Sequence, residues 1–256
     1  MLSDLAQWVP GYKGGRLRSG VSGATTTEFV IIMPIFFVIL FGIIETAFIF
    51  RTRSTLNTAT FDAARHGAMN HALVEPMNER LVRGMMPLYM DADKDVGQYT
   101  QAYSKSQARM TAANSFGLNP VKVVSPTQSM LDELGVERSL RLPGHPYEQE
   151  FQVIPNDNLS YRPSSEVSVR IDGESRKVNV QDANILKIQT YWCHPLIVPV
   201  VGPLIEEAAT NLLNATAETA ACAALSQSVG GHHIPITSQA TVRMQSDVVG
   251  HDLPAN

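Results

Sequence analysis

The residues that could carry chemistry in this chain are two cysteines, several histidines and two carboxylates beside an apolar run. Cys193 and Cys222 are the only cysteines among 256 residues, which excludes a disulfide-rich scaffold and a multi-zinc protein. Cys193-His194 and His232-His233 offer zinc-binding side chains, but without the close spacing that is typical of zinc sites. The chain has no G-x-S-x-G turn and no phosphate-binding glycine loop. The sequence therefore predicts no catalytic residue, no metal and no cofactor.

The composition narrows the class of protein. With 44% hydrophobic and 17% charged residues, the chain is too apolar to be disordered as a whole. Its 20 lysines and arginines stand against 24 acidic residues, so no basic surplus is available to neutralise phosphates. We therefore expect no nucleic-acid partner.

One long apolar run dominates the N-terminal part of the chain. Phe29–Ile44 is sixteen residues without a polar side chain, and Phe29–Phe50 contains only two polar residues. As a helix, the longer run would span about 33 Å, enough to cross a bilayer. A cleaved secretory signal is not favoured, because a 28-residue polar leader precedes the run and Arg51 and Arg53 follow it. The sequence predicts a single-pass membrane helix, with lipid as one of its partners.

The charges on either side of this run indicate its orientation. The leader carries three basic residues and one acidic residue before Glu28, whereas Arg51 and Arg53 follow the run. This small excess favours a cytoplasmic N-terminus and places the bulk of the chain in the periplasm of an inner membrane. In that oxidising compartment Cys193 and Cys222 would form a disulfide worth about 3–4 kcal/mol. Two buried free thiols are the alternative.

The junction before the apolar run is the most informative motif. It reads Ser22-Gly23-Ala24-Thr25-Thr26-Thr27-Glu28-Phe29, a glycine followed five residues later by a glutamate. This junction resembles the processing site of type IV prepilins. The Glu28-Phe29 pair, with Pro34 inside the run, is similar to the TadE-like family of tight-adherence (Flp/Tad) pilus proteins. The resemblance extends over about residues 16–70 and includes these further residues: Phe41-Gly42-Ile43-Ile44-Glu45, Leu56, Ala59, Ala63-Ala64-Arg65 and Gly67-Ala68.

The resemblance implies that a prepilin peptidase removes the leader after Gly23. The new α-amine of Ala24 would then lie about one helical turn from Glu28. In a filament of packed helices, that amine on one subunit could neutralise Glu28 of its neighbour, and Phe29 would pack beside it. The alternative is a capping box, in which Glu28 caps the start of its own helix.

Two further residues of the apolar run carry predictions. Pro34 removes a backbone hydrogen bond and should kink the helix. Glu45 is a second carboxylate in apolar surroundings, which requires a compensating partner. We expect either that Glu45 pairs with a neighbouring subunit or that it extends towards the headgroups near Arg51.

The remaining pattern predicts an α+β fold. The membrane helix should continue as a stem to about Met69, with small residues along one side that would let another helix approach closely. Alternation predicts strands near 167–180, 185–193 and 236–245, and an alanine-rich helix over 203–225. A further helix is expected over 98–116. We expect a leader (1–23), a transmembrane helix and stem (24–70), and a periplasmic domain (71–256) with one antiparallel sheet and covering helices.

Together these features predict a minor pilin or pseudopilin of a tight-adherence type IV pilus, with roles in pilus assembly and adhesion and no reaction of its own. Its partners would be the prepilin peptidase, other pilins of the same pilus and the inner-membrane assembly platform, and its final location could include the extracellular pilus. A secretion-system pseudopilin fits less well, because an aromatic residue after the cut and an aliphatic residue before Glu28 are missing. A membrane-anchored periplasmic enzyme or ligand-binding protein with an uncleaved anchor is the alternative from another class.

Overall fold

The computed structural model describes residues 24–90, 96–115, 117–171, 173–212 and 216–255. The chain divides into two units, Met1–Leu40 and Phe41–Asn256, and the boundary falls within the first helix. The helices are α1 (Ala24–Met69), α2 (Val74–Met85), α3 (Val96–Ser115), α4 (Gln128–Leu134), α5 (Val180–Ala183), α6 (Val201–Leu212) and α7 (Ala217–Val229). The strands are β1 (Val121–Ser125), β2 (Val136–Leu140), β3 (Gln149–Ile154), β4 (Val167–Ile171), β5 (Glu174–Val178), β6 (Ile185–Leu196), β7 (His232–Arg243) and β8 (Val248–Val249).

Helix α1 is continuous over 46 residues and contains Pro34. It ends where His71 and Ala72 both take positive φ angles, 59° and 61°. The amide of Ala72 then donates to the carbonyl of Gly67 at 2.9 Å and closes the last turn. The predicted long helix from the membrane run to about Met69 is confirmed.

The largest β-ladder joins β6 and β7, twelve residues each. They pair antiparallel over their full length, from Ile185 opposite Arg243 to Leu196 opposite His232, and β1 pairs with the other edge of β6. At the end where Leu196 pairs with His232, both strands extend further than the alternation predicted. The reason is that residues 190–194 of β6 are all buried, so the period-two pattern disappears where both faces of the strand are covered.

The expectation of one sheet is wrong. The described strands also form a sheet in the order β2-β3-β8 and the separate hairpin β4–β5. The hairpin agrees with the strands predicted near 167–180, although Asp172 lies outside the described residues. Strands β2 and β3 were missed because their side chains are mostly exposed or half-buried and therefore give little alternation.

The single helix expected over 203–225 is also wrong, because α6 and α7 are separate helices. Thr216 has an extended backbone (φ −80°, ψ 164°), and its hydroxyl accepts a hydrogen bond from the amide of Thr219. This is an N-cap, which starts a new helix in the middle of the alanine-rich segment. Helix α3 agrees with its prediction to within two residues at its start, and Phe116 lies outside the described residues.

Candidate functional site

The first part of α1 exposes its apolar side chains. From Thr26 to Ile44 nearly every side chain is exposed, and Phe29 is 58% accessible. By length and composition, the helix Thr26–Met69 could cross a membrane. From Phe29 onwards this surface has no polar side chain, and a surface of this size and composition is stable in lipid or against other apolar helices, but not in water.

The predicted processing site lies at the start of this helix. Gly23 falls outside the described residues, and Ala24 is the first residue of α1. The side chains of Glu28 and Phe29 are both exposed on the helix surface. The helix runs on through Pro34, so the kink expected there stays a prediction.

Glu45 lies deep inside the second unit of the chain and is 0% accessible. One of its carboxylate oxygens accepts a hydrogen bond from the amide of Ile197 at 3.1 Å, and the other accepts from the amide of Val198 at 2.8 Å. The ring of His194 approaches the first oxygen, with its Nε2 atom at 3.8 Å. Two backbone donors therefore compensate the burial of this carboxylate.

This position corrects both expectations for Glu45. The carboxylate neither faces a neighbouring subunit nor extends towards headgroups near Arg51, because residues of its own chain enclose it. Its donors come from a segment 152 and 153 residues further along the chain. A contact over that sequence distance leaves no local pattern from which it could be predicted.

Two further polar contacts join α1 directly to β6. The hydroxyl of Thr52 lies 2.9 Å from Nδ1 of His194, and the hydroxyl of Thr60 lies 2.6 Å from that of Thr190. All four residues are buried. Burial lowers the pKa of His194, and the nearby Glu45 carboxylate opposes this only in part. His194 is thus held neutral, bonded to α1 through one ring nitrogen.

The small-residue side of α1 contacts another helix of the same chain. Ala59, Ala63 and Gly67 are buried. A β-carbon placed on Gly84 of α2 would come within 2.5 Å of the Ala59 side chain. The expected close approach of a helix therefore occurs, and its partner is α2.

Cys193 and Cys222 are joined in the structure, with their α-carbons 5.4 Å apart. Their bond connects β6 to α7 directly beside His194. This geometry leaves no thiolate for the zinc arrangement considered above. Among the described residues, no three histidine, cysteine, aspartate or glutamate side chains converge as a metal site would require.

A polar network joins α3, α6, α7 and β7 on the side of the disulfide. His233 is buried between the Arg109 guanidinium, 2.6 Å from its Nε2, and the Ser226 hydroxyl, 3.1 Å from its Nδ1. Burial and the adjacent Arg109 charge lower the pKa of His233 to about 4. Glu206 accepts from Ser226 and pairs with His232. The neutral ring accepts from the arginine at Nε2, so its Nδ1–H donates to the Ser226 hydroxyl, and the network connects the three helices to β7.

The comparisons with known proteins concern the N-terminal part of the chain. Residues 23–65 match the family model described as TadE-like protein. The N-terminal segment is TadE-like. No curated protein and no solved structure matches the chain.

The TadE-like segment covers most of α1. It begins at the expected cleavage residue and contains Glu28, Glu45, Thr52 and Thr60. Its match agrees with the resemblance deduced from the junction and assigns the segment to a family of pilus proteins. The residues that contact α1, such as Thr190, His194 and Val198, lie outside the matched segment. The family comparison therefore says nothing about how α1 is attached to the domain.

Proposed function

We propose that this chain is a minor pilin or pseudopilin that takes part in assembly of a tight-adherence type IV pilus. The observation that carries the proposal is the match of residues 23–65 to the TadE-like model, on a helix whose first part exposes apolar side chains. An exposed apolar helix of this length can lie in the inner membrane before assembly and pack against other pilin helices afterwards. The chain contributes packing and recognition, and no reaction of its own.

Maturation is the first step of the proposed pathway. A prepilin peptidase cuts after Gly23 on the cytoplasmic face, which leaves Ala24 as the N-terminal residue. Glycine suits the position before the cut because a β-carbon would hinder close approach of the peptidase to the backbone. The domain that follows α1 lies in the periplasm, where the Cys193–Cys222 bond is stable.

Assembly is the second step, and it depends on the start of α1. The free amine of Ala24 on one subunit pairs with Glu28 of the next, which sets the axial register of the helices. Glu28 and Phe29 are exposed and are therefore accessible to a neighbour. The same charge pair compensates a carboxylate at the edge of the hydrocarbon, where an isolated charge costs several kcal/mol. The other partners are the pilins of the same pilus and the inner-membrane assembly platform.

The decisive experiment is the intact mass and N-terminal sequence of the full chain, expressed with and without a prepilin peptidase. We expect a mature chain that begins at Ala24 only when the peptidase is present. The variant Gly23→Ile should keep its leader, whereas Gly20→Ile, a matched change three residues earlier, should be processed normally. A chain that retains Met1 to Gly23 in the presence of the peptidase, or normal processing of Gly23→Ile, would overturn the proposal.

A further inference from the structure

The segment that binds Glu45 is itself strongly apolar. Residues 195–205 read Pro-Leu-Ile-Val-Pro-Val-Val-Gly-Pro-Leu-Ile, eleven residues without a polar side chain. Within it, Ile197 is 61% accessible, Val200 54% and Leu204 56%. Three large aliphatic side chains exposed within eight residues form a surface that needs a partner. We call residues 197–204, which end in the first turn of α6, the apolar loop.

Glu45 fixes the position of the apolar loop along the axis of α1. The exposed apolar part of the helix, Phe29–Ile44, is sixteen residues, or about 24 Å of helix. That length is most of the hydrocarbon thickness of a bilayer, about 30 Å. At Glu45 one side of α1 becomes buried, and its carboxylate binds the amides of Ile197 and Val198, whereas another side of the helix stays exposed as far as Phe50.

The direction of β6 explains how a distant segment reaches this level. Going up α1 from Glu45 through Thr52 to Thr60, the partners on the other chain segment run backwards, from Val198 through His194 to Thr190. Fifteen helical residues cover about 22 Å and eight extended residues about 26 Å, so the two segments run antiparallel side by side. Strand β6 therefore leads the chain back along α1 from Thr60 to Glu45.

The backbone of the apolar loop is suited to a medium without water. The amides of Ile197 and Val198 donate to Glu45, and the amide of Gly202 donates to the Val198 carbonyl at 2.8 Å. Pro199 and Pro203 have no amide hydrogen. Five of the eight residues of the loop thus have a satisfied amide or none, which lowers the cost of placing the loop beside hydrocarbon.

We propose that the apolar loop is a second membrane contact, inserted into the surface of the same bilayer that α1 crosses. Ile197, Val200 and Leu204 would bury their side chains at the boundary between headgroups and acyl chains. Arg51 and Arg53 lie one to two turns further along α1, where lipid phosphates would be. The proposal rests on the membrane-spanning role of α1 in the proposed function. Lipid is favoured over a second copy because Glu45, which binds the loop, directly follows the apolar residues of the proposed membrane helix.

The test uses the full chain in vesicles and one introduced cysteine at a time, labelled with a fluorescent bimane while Cys193 and Cys222 stay joined. Val200→Cys reports on the loop. Ile185→Cys is the matched control, since it is an exposed aliphatic residue at the other end of β6, about 36 Å away along the strand. Ile39→Cys reports on the lipid-facing part of α1. Quenching by doxyl-labelled lipid is compared with quenching by aqueous iodide.

We expect doxyl lipid to quench the label at Val200 at least three-fold more strongly than the label at Ile185, and iodide to show the reverse order. Equal behaviour of these two positions overturns the proposal. A Val200 label shielded from iodide but not quenched by lipid also overturns it and indicates a protein neighbour. Quenching at Ile39 tests the membrane-spanning role of α1 separately from the apolar loop. If lipid does not quench the label at Ile39, the membrane-spanning role of α1 fails as well.

Discussion

The two parts of α1 follow opposite rules of burial. In the first part, aliphatic and aromatic side chains such as Phe29 and Ile39 are exposed. In the second part, the buried residues include Thr52, Thr60 and the carboxylate of Glu45. Hydrophobicity therefore does not decide what is buried along this helix. The neighbours decide it, because the first part exposes a surface suited to lipid and other helices, whereas the second part packs against its own domain.

The largest expected difference between the two parts concerns their carboxylates. Glu45→Ala should lower the free energy of unfolding of the domain by about 4 kcal/mol, because it removes two charge-assisted hydrogen bonds and leaves the amides of Ile197 and Val198 without their partner. Glu28→Ala should leave this free energy unchanged and impair incorporation into pili instead. Urea unfolding of the full chain in detergent, followed by near-ultraviolet circular dichroism, measures the first effect. Equal destabilisation by the two substitutions would contradict the expected difference between the buried Glu45 and the exposed Glu28.

Mild acid should destabilise the domain that contains the buried histidines and leave the exposed first part of α1 unaffected. The pKa of His194 is lowered and that of His233 is lowered to about 4, so the unfolded chain binds more protons than the folded one below pH 6.5. The stability that these neutral rings contribute is complete above pH 6.5 and decreases as the pH falls towards 4. We expect a loss of about 2 kcal/mol between pH 7.5 and pH 5.

The same urea titration at both pH values measures this loss. His233→Gln should reduce it, because glutamine does not titrate in this range. His251→Gln serves as the control, since the His251 side chain is 75% exposed. A pH dependence that His233→Gln and His194→Gln both leave intact would show that other groups are responsible.

Two glycines of α1 sharpen the comparison further. A β-carbon at Gly67 would overlap the side chain of Met77, whereas one at Gly42 would meet nothing within 4 Å. Gly67→Ala should therefore destabilise the domain by about 1–2 kcal/mol. Gly42→Ala should be neutral or slightly stabilising, because alanine is the better helix former by about 1 kcal/mol. Thermal unfolding of both variants measures these changes in stability. A stabilising effect of Gly67→Ala would show that Met77 moves aside at no cost.

The smallest expected effect concerns the hydroxyl pair between α1 and β6. Thr60→Val should cost about 1 kcal/mol, because it leaves the buried hydroxyl of Thr190 without its partner. The double variant with Thr190→Val should be more stable than the sum of the single changes predicts, since both polar groups are then gone. Thr58→Val is the matched control, because Thr58 is exposed on the same helix. Additive costs in this cycle would mean that the two hydroxyls do not interact.

Sequence patterns predicted the parts of this protein whose periodicity is local. The long helix to Met69, the β4–β5 hairpin and the main course of β6 and β7 follow from hydrophobic runs and alternation within ten to twenty residues. The division of the alanine-rich segment was missed, although Thr216 precedes Glu218 in a recognisable capping position. The sheet of β2, β3 and β8 does not follow from the pattern, because β2 and the first part of β3 bury few side chains and β8 is only two residues long.

The sequence by itself determined that this chain has an exposed apolar helix behind a prepilin-like junction, since residue type and spacing over 16–70 carry that information and the TadE-like match lies within it. Only the tertiary structure decided the role of Glu45. Its partners are the backbone amides of Ile197 and Val198, and every residue except proline carries such a donor. No side-chain type therefore marks the partner in the sequence, and only the fold, with β6 running back along α1, brings it to the carboxylate.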